Sequence, residues 1–353
     1  MVPINYRTSP SWPAIGRTHH VHTAFANYVL LVSLLAASAS IAAPSAGGEY
    51  QPVLVFGTSG TEQGAFDYPY DVDVHDGEIF VADSHNNRLQ VFDLEGRFLR
   101  TFGSTGYGDG EFRRNRGLCV SELGIFVTDA KNDRIQSFDL AGMHRWSQGS
   151  IGNAPDQFFR PRGIDVTPTG QLVITDADNH RVKVLRPDQS LRAVFGRRGS
   201  DEGDFVAPFD VAVSAEGHAY VIDIFNSRVQ VFTLDGEFLF AFGVNGTGDG
   251  QFIQPRAIAC GPGGIVAVAD VGNSQQVRDR VQIFDVSGNF LCGFGSFGSG
   301  EGEIDFVTGL AFDAEGRLYV AEPPNDRVSV WVDATVRSQT ESLGGLKSRF
   351  SGK

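Results

Sequence analysis

One pattern of about a dozen residues is met six times along the chain, and this constrains its fold more than anything else. "VADSHNNRLQVF" begins at Val81. Altered copies follow as "VTDAKNDRIQSF" from Val127, "ITDADNHRVKVL" from Ile174, "VIDIFNSRVQVF" from Val221, a lengthened "VADVGNSQQVRDRVQIF" from Val268 and "VAEPPNDRVSVW" from Val320. Each copy holds an acid, an Asn three residues on, and an Arg. The arginines, Arg88, Arg134, Arg181, Arg228, Arg280 and Arg327, are spaced by 46, 47, 47, 52 and 47 residues, with a five-residue insertion at 274–278. A fixed period of this length is the mark of a repeat architecture.

Within each copy the alternation of "RLQVF" or "RVQVF" has period two and is rich in Val, Ile and Phe, which predicts strands. The first full unit divides into four: "YDVDV" from Tyr70, "EIFVAD" from Glu78, "RLQVFD" from Arg88 and "RFLRTF" from Arg97. Turn signals such as "DG" at 76 and "EG" at 95 lie between them. Successive units are joined by a loop of the form F-G-x-x-G-x-x-x-G-x-F-x-x-P, as in "FGTSGTEQGAFDYP" from Phe56. A four-stranded sheet cannot bury both faces alone, so successive sheets must pack face to face and close radially. The expected fold is all-β, a six-bladed β-propeller of four-stranded antiparallel blades. The sixth unit ends after its third strand, "RVSVWV" from Arg327, whereas an unmatched strand, "VLVFG" from Val53, precedes the first. The ring is therefore expected to be closed by the N-terminal strand completing the last blade, which removes two open sheet edges.

The same residues carry a resemblance. The succession P-x-G-I-x-V, G-x-x-x-V-A-D-x-x-N-x-R-V-Q-V-F and G-x-F-x-x-x-F-G resembles the NHL repeat, over residues 53–333. The resemblance implies a six-bladed propeller. NHL proteins include ligand sensors, RNA-binding and protein-binding platforms and the peptide alpha-amidating lyase, so function has to be argued from the site.

Three segments are expected: a leader over 1–48, the propeller over 49–335 and a disordered Ser, Gly and Lys-rich tail over 336–353. The leader holds "YVLLVSLLAASASIAAPSA" from Tyr28, preceded only by arginines among charged residues, which is the order of a signal peptide or of an N-terminal membrane anchor. Either places the propeller outside the cytoplasm, in the periplasm or secreted. The 353-residue chain has net charge −13, and because the leader carries two arginines and no acid, the remainder carries −15. That field repels phosphate backbones and argues against nucleic acid as a partner. The 43 glycines and 28 phenylalanines suit many tight turns around a packed core. Three cysteines, Cys119, Cys260 and Cys292, have no metal-ligand spacing. Cys260 and Cys292 fall on the first and fourth strands of one sheet, about 14 Å apart, too far to bridge. All three read as small buried hydrophobes.

A motif that serves every blade alike is expected to be structural, so D-x-x-N-x-R is assigned to turn formation and charge pairing. Function is sought where the repeats differ in register. One position past the loop proline stand Tyr70, Arg116, Arg162, Phe209, Arg256 and Thr308, followed by Asp71, Gly117, Gly163, Asp210, Ala257 and Gly309. Blades 1 and 4, opposite one another in a six-fold ring, carry an aromatic residue and Asp; blades 2, 3 and 5 carry Arg and a small residue. The expected ligand-binding residues are Tyr70, Asp71, Arg116, Arg162, Phe209, Asp210 and Arg256. Guanidinium forks and aromatic faces suit a protein partner or a small polar ligand such as a carboxylate or a sugar. This reading is of a non-catalytic module without a cofactor.

The alternative is an extracytoplasmic metal-dependent lyase or lactonase-like enzyme, its metal held by Asp71, Asp210 and neighbouring carbonyls. A zinc site needs converging histidines. Of His75, His85, His144, His180 and His218, only His85 and His180 fall between second and third strands. The motif histidines of the amidating lyase are not matched, and its paired cysteines are absent. "GYGDGEF" from Gly106 and "GTGDGQF" from Gly246 each offer one acid, too few for calcium, and read as turns.

Overall fold

The computed structural model describes residues 48–272 and 279–334. Residues 1–47 of the leader expected over 1–48, the insertion at 274–278 and the tail expected over 336–353 lie outside the described residues. The described chain forms six four-stranded antiparallel sheets. Blade 1 comprises Pro69–His75, Glu78–Asp83, Arg88–Asp93 and Phe98–Phe102; blades 2 to 5 repeat it, with innermost strands Asn115–Ser121, Pro161–Val166, Pro208–Val213 and Gln254–Gly261. Each innermost strand contacts that of the next blade, and Gly309–Phe312 of blade 6 contacts Pro69–His75 of blade 1, which closes the circle. Blade 6 takes its outermost strand from the other end of the chain: Tyr50–Phe56 runs antiparallel to Arg327–Asp333, from Tyr50 opposite Asp333 to Phe56 opposite Val328.

The core consists of apolar layers between adjacent blades. The phenylalanine of each joining loop, Phe66, Phe112, Phe158, Phe205 and Phe252, is driven fully into this layer, and Ile304 takes the place in blade 6. The glycine that opens each loop is required by that insertion. Gly57 has φ +100°, and a Cβ there would lie 2.5 Å from the Phe66 ring.

The repeated polar motif fastens each loop to its blade. In blade 1 the buried Asp83 accepts the Asp67 amide at 2.8 Å, Asn86 Nδ2 at 2.9 Å and Arg88 Nε at 2.7 Å. Arg88 turns its remaining donors onto the carbonyls of Thr61, Glu62 and Ala65. The same set recurs around Asp129, Asp176 and Asp223, whereas Glu322 keeps the Asn and Arg bonds and accepts the Ser329 hydroxyl in place of the loop amide. These charges are buried but fully hydrogen-bonded, the condition under which burial is tolerated.

Blades 3 and 6 depart from the others at one position, where blade 6 has Ser329. Gln90, Gln136, Gln230 and Gln282 each donate a side-chain amide to a loop carbonyl at 2.7–2.8 Å. Lys183 occupies this position in blade 3, fully buried, with its ammonium 4.0 Å from the Phe158 ring centroid and donating to the carbonyls of Pro155 and Gln157. Burial, with the nearby Arg181 charge, pulls its pKa down to about 8. Lys183→Gln is expected to keep the donor without the buried charge and to unfold at an equal or higher temperature. Lys183→Met removes the buried donor altogether, leaving Arg181 as the side chain that reaches the Gln157 carbonyl, and should cost about 1 kcal/mol. Urea denaturation of both variants checks this; a Gln variant less stable than the Met variant would contradict it.

Candidate functional site

The innermost strands all begin on one face, where the joining loops and the loops between second and third strands also open. At this mouth the pairing slips by a residue in five blades: between Pro69 and Asp71, Asn115 and Leu118, Pro161 and Ile164, Pro208 and Val211, and Pro255 and Ala257. A bulge breaks strict alternation and re-aims the side chain it carries. The residues at these bulges meet over the axis.

Tyr70, Arg116, Arg162, Phe209 and Arg256 interleave in one layer. The Arg116 guanidinium lies 5.1 Å from the Tyr70 ring centroid. Arg162 stacks 4.3 Å from Phe209 and donates from Nη1 to the Tyr70 hydroxyl at 3.3 Å. Arg256 lies between two rings, 5.2 Å from Phe209 and 4.2 Å from Phe306, with one hydrogen bond to Gln254 Oε1 at 3.0 Å. None of the three arginines has a carboxylate within ion-pair distance among the described residues, in contrast to Arg88, Arg134, Arg181, Arg228 and Arg327. Each keeps a buried donor without an acceptor: Nη1 of Arg116 and Nε of Arg162 and Arg256. Burial, together with the neighbouring charge of Arg116, lowers the pKa of Arg162 and Arg256, although a guanidinium stays charged at neutral pH. Buried donors left unpaired beside like charges are costly and call for an acceptor.

Asp71 and Asp210 are not brought into this layer. Their carboxylates point below it into the central channel, a cavity of about 110 Å³ lined by Asp71, Asp73, Asp165 and Asp210 among others. Asp71 accepts the amides of Val72 and, across the blade boundary, Leu118, at 2.9 and 2.8 Å. Asp210 reaches Ile258 at 2.9 Å, Asp73 reaches Val120 and Asp165 reaches Val213, both at 2.6 Å. Each aspartate thus ties its own blade to the next. A Cβ on Gly309 would strike Asp71, and one on Gly163 would strike Asp210, so these two glycines are the counterpart of the two acids. Cys119 lines the channel as a buried thiol, whereas Cys260, expected to be fully buried, is only partly so, between the channel and a groove on the opposite face.

Burial is the first cause that raises the channel carboxylates. Asp73 and Asp210 are pushed up to about 7 and Asp165 to about 6. Asp71 is raised by burial and then by the charge of Asp210 across the channel, as befits facing blades. The layer above is therefore basic and the channel below acidic. Among the described residues, no group of three or more His, Cys, Asp or Glu is placed to hold a metal ion. His180 is occupied in structure, its Nδ1 accepting the Ala207 amide at 2.9 Å. His85 lies at the mouth, its Nδ1 3.0 Å from Asp67 and its ring stacked 4.5 Å from Tyr68.

Phe306 and Tyr68 join the mouth without having been singled out from sequence. Both stand two residues before the position that holds Thr308 and Tyr70, so comparing that second register would have found them. Asp73 and Asp165 were likewise legible in the register two residues beyond Asp71.

A profile described as 6-bladed beta-propeller matches residues 60–165, and an NHL repeat profile matches residues 158–185. No curated protein sequence matches the chain. Among solved structures, virginiamycin B lyase from Staphylococcus aureus is similar at 15% identity and TM-score 0.53, covering 81% of this chain and 99% of its own. A gluconolactonase from Xanthomonas campestris is similar at 15% identity and TM-score 0.56, covering 82% and 96%. A protein of unknown function from Bacteroides thetaiotaomicron is similar at 13% identity and TM-score 0.61, covering 81% and 76%. At such identities the likeness speaks for the fold alone.

Proposed function

We propose, from the premise that this chain is a six-bladed β-propeller carrying an NHL repeat, that it is a binding module whose mouth captures carboxylates without transforming them. The observation that carries this reading is the trio Arg116, Arg162 and Arg256, whose guanidinium groups have no carboxylate partner among the described residues and retain buried, unpaired donors. A carboxylate supplies two oxygens in the plane that a guanidinium fork accepts. Tyr70, Phe209 and Phe306 hold the forks in place by ring contacts, so little side-chain freedom is lost on binding. The channel aspartates take no part in contact with the ligand; they fix the strands from which the arginines project.

The test is thermal unfolding with acetate, succinate or citrate, against sodium chloride of equal ionic strength. Citrate and succinate are expected to raise the melting temperature, and chloride is not. In Arg116→Gln/Arg162→Gln/Arg256→Gln, which relieves three adjacent positive charges, the effect should fall at least tenfold in apparent affinity while the fold persists. An undiminished citrate effect in that folded variant would contradict the assignment.

A further inference from the structure

The basic layer is surrounded by apolar side chains that no small ligand at the axis would reach. Tyr107, Phe159, Phe225 and Phe297 are exposed by 72%, 36%, 65% and 50%, and they are the exposed aromatic residues among those described. All four stand on the mouth face. Tyr107, Phe159 and Phe297 are in loops joining blades, and Phe225 is in the short turn Ile224–Asn226 between second and third strands of blade 4. Ile151 and Val244 occupy joining loops of the same face. The other exposed large apolar residues, such as Val53, Leu99, Met143 and Val286, lie on outermost strands or at the opposite face, and none is aromatic. Outer and inner strands of a blade are about 14 Å apart, so a ligand the size of citrate would leave the rim uncovered.

The rim is also basic on one side. Arg113 lies 4.6 Å from the Tyr107 ring centroid and Arg160 5.7 Å from that of Phe159. Among the described residues, Arg113, Arg114 and Lys131 have no carboxylate within ion-pair distance, although the chain outside the leader is strongly acidic. Aromatic residues on one face, two of them stacked with arginines, have the composition of protein-binding hot spots. These four stand singly on different blades, so it is their confinement to one face, with arginines against two of them, that marks the face.

We propose that the occupant of this face is an acidic polypeptide segment with apolar side chains beside its carboxylates. This rests on the carboxylate-binding reading of the mouth. One carboxylate meets Arg116, Arg162 and Arg256 at the axis, flanking acids meet Arg113, Arg114 and Lys131, and apolar neighbours cover Tyr107 and Phe225. A polypeptide spans axis and rim together, which accounts for both sets of residues with one ligand.

Random dodecapeptides displayed on phage, selected on the immobilised full chain, provide the probe. Enriched sequences are expected to pair Asp or Glu with Phe, Trp or Leu. One synthetic winner is then measured by fluorescence polarisation against the wild type, the triple arginine variant and Tyr107→Ser/Phe225→Ser, whose side chains are exposed. The serine variant should bind the peptide at least tenfold more weakly while keeping the citrate effect on unfolding. Equal peptide binding by the serine variant, or selection without an acidic and apolar consensus, would overturn the peptide proposal and leave the carboxylate site standing. Loss of neither citrate nor peptide in the arginine variant would overturn both. An oligouridine that binds the wild type as tightly as the peptide would also overturn the peptide proposal, assigning the face to nucleic acid.

Discussion

A chain lacking residues 49–57 is expected to lose the cooperative unfolding of the full protein, or to unfold at least ten degrees lower. The segment does more than add a strand. Tyr50 stacks on Phe294 with ring centroids 4.7 Å apart, and Phe294 in turn lies 4.7 Å from Trp331. Phe56 packs at the boundary between blades 6 and 1, 5.0 Å from Phe92 and 6.3 Å from Phe66. A fully buried apolar side chain contributes about 1.5–3 kcal/mol; Tyr50 is buried, and Leu54 and Phe56 are partly so. Tyr50, Leu54 and Phe56, with the backbone bonds to Arg327–Asp333, thus hold a sum comparable to the roughly 5–15 kcal/mol by which a domain is stable. In a closed ring the loss is not local, because an opened boundary exposes the edge of blade 6 and a face of blade 1 together. Circular dichroism on heating decides it: a transition as sharp and as high as that of the full chain would sink the closure scheme.

Stability should fall as pH rises from 5 to 8. In the unfolded chain an aspartate titrates near 3.9. In the folded ring burial raises Asp73 and Asp210 to about 7 and Asp165 to about 6, with Asp71 moved the same way. Between about pH 4 and 7 the folded state therefore binds more protons than the unfolded chain, and the linkage slope is negative. The stability lost through that window levels off above the folded-state values. A tenfold difference in proton affinity between the folded and unfolded chain corresponds to about 1.4 kcal/mol. Several such groups, even with mutual coupling, should lower the melting temperature by roughly 5–10 °C between pH 5 and pH 8. Asp73→Asn and Asp210→Asn together should flatten the dependence, whatever they do to the absolute stability. A melting temperature that is flat or rising across this range in the wild type would show that the channel carboxylates are ionised and solvated.

The fold was legible because two independent counts agreed: the spacing of the six arginines, and the strand left over before the first unit against the one missing from the sixth. The side chains over the axis were legible for the same reason, since comparing one register across blades isolates what differs from what merely closes the ring. Asp71 and Asp210 were harder. A sequence shows Tyr70 and Asp71 as adjacent, and the bulge that separates one into the mouth and the other into the channel is set by pairing with the neighbouring strand. The carboxylates were expected among the arginines, but backbone amides of the next blade already satisfy them. Nothing in a linear pattern announces an amide 47 residues away as the partner. Phe306 was hidden differently, because blade 6 keeps neither the loop phenylalanine nor the loop proline, with Ile304 and Val307 in their places.

A crystal structure of the chain grown in citrate tests the central claim most directly. A carboxylate is predicted within hydrogen-bond distance of Nη1 of Arg116 and of Nε of Arg162 or Arg256, above the Tyr70 and Phe209 rings. Citrate found in the groove beside Cys260 on the opposite face, with the three guanidinium groups still unpaired, would contradict it.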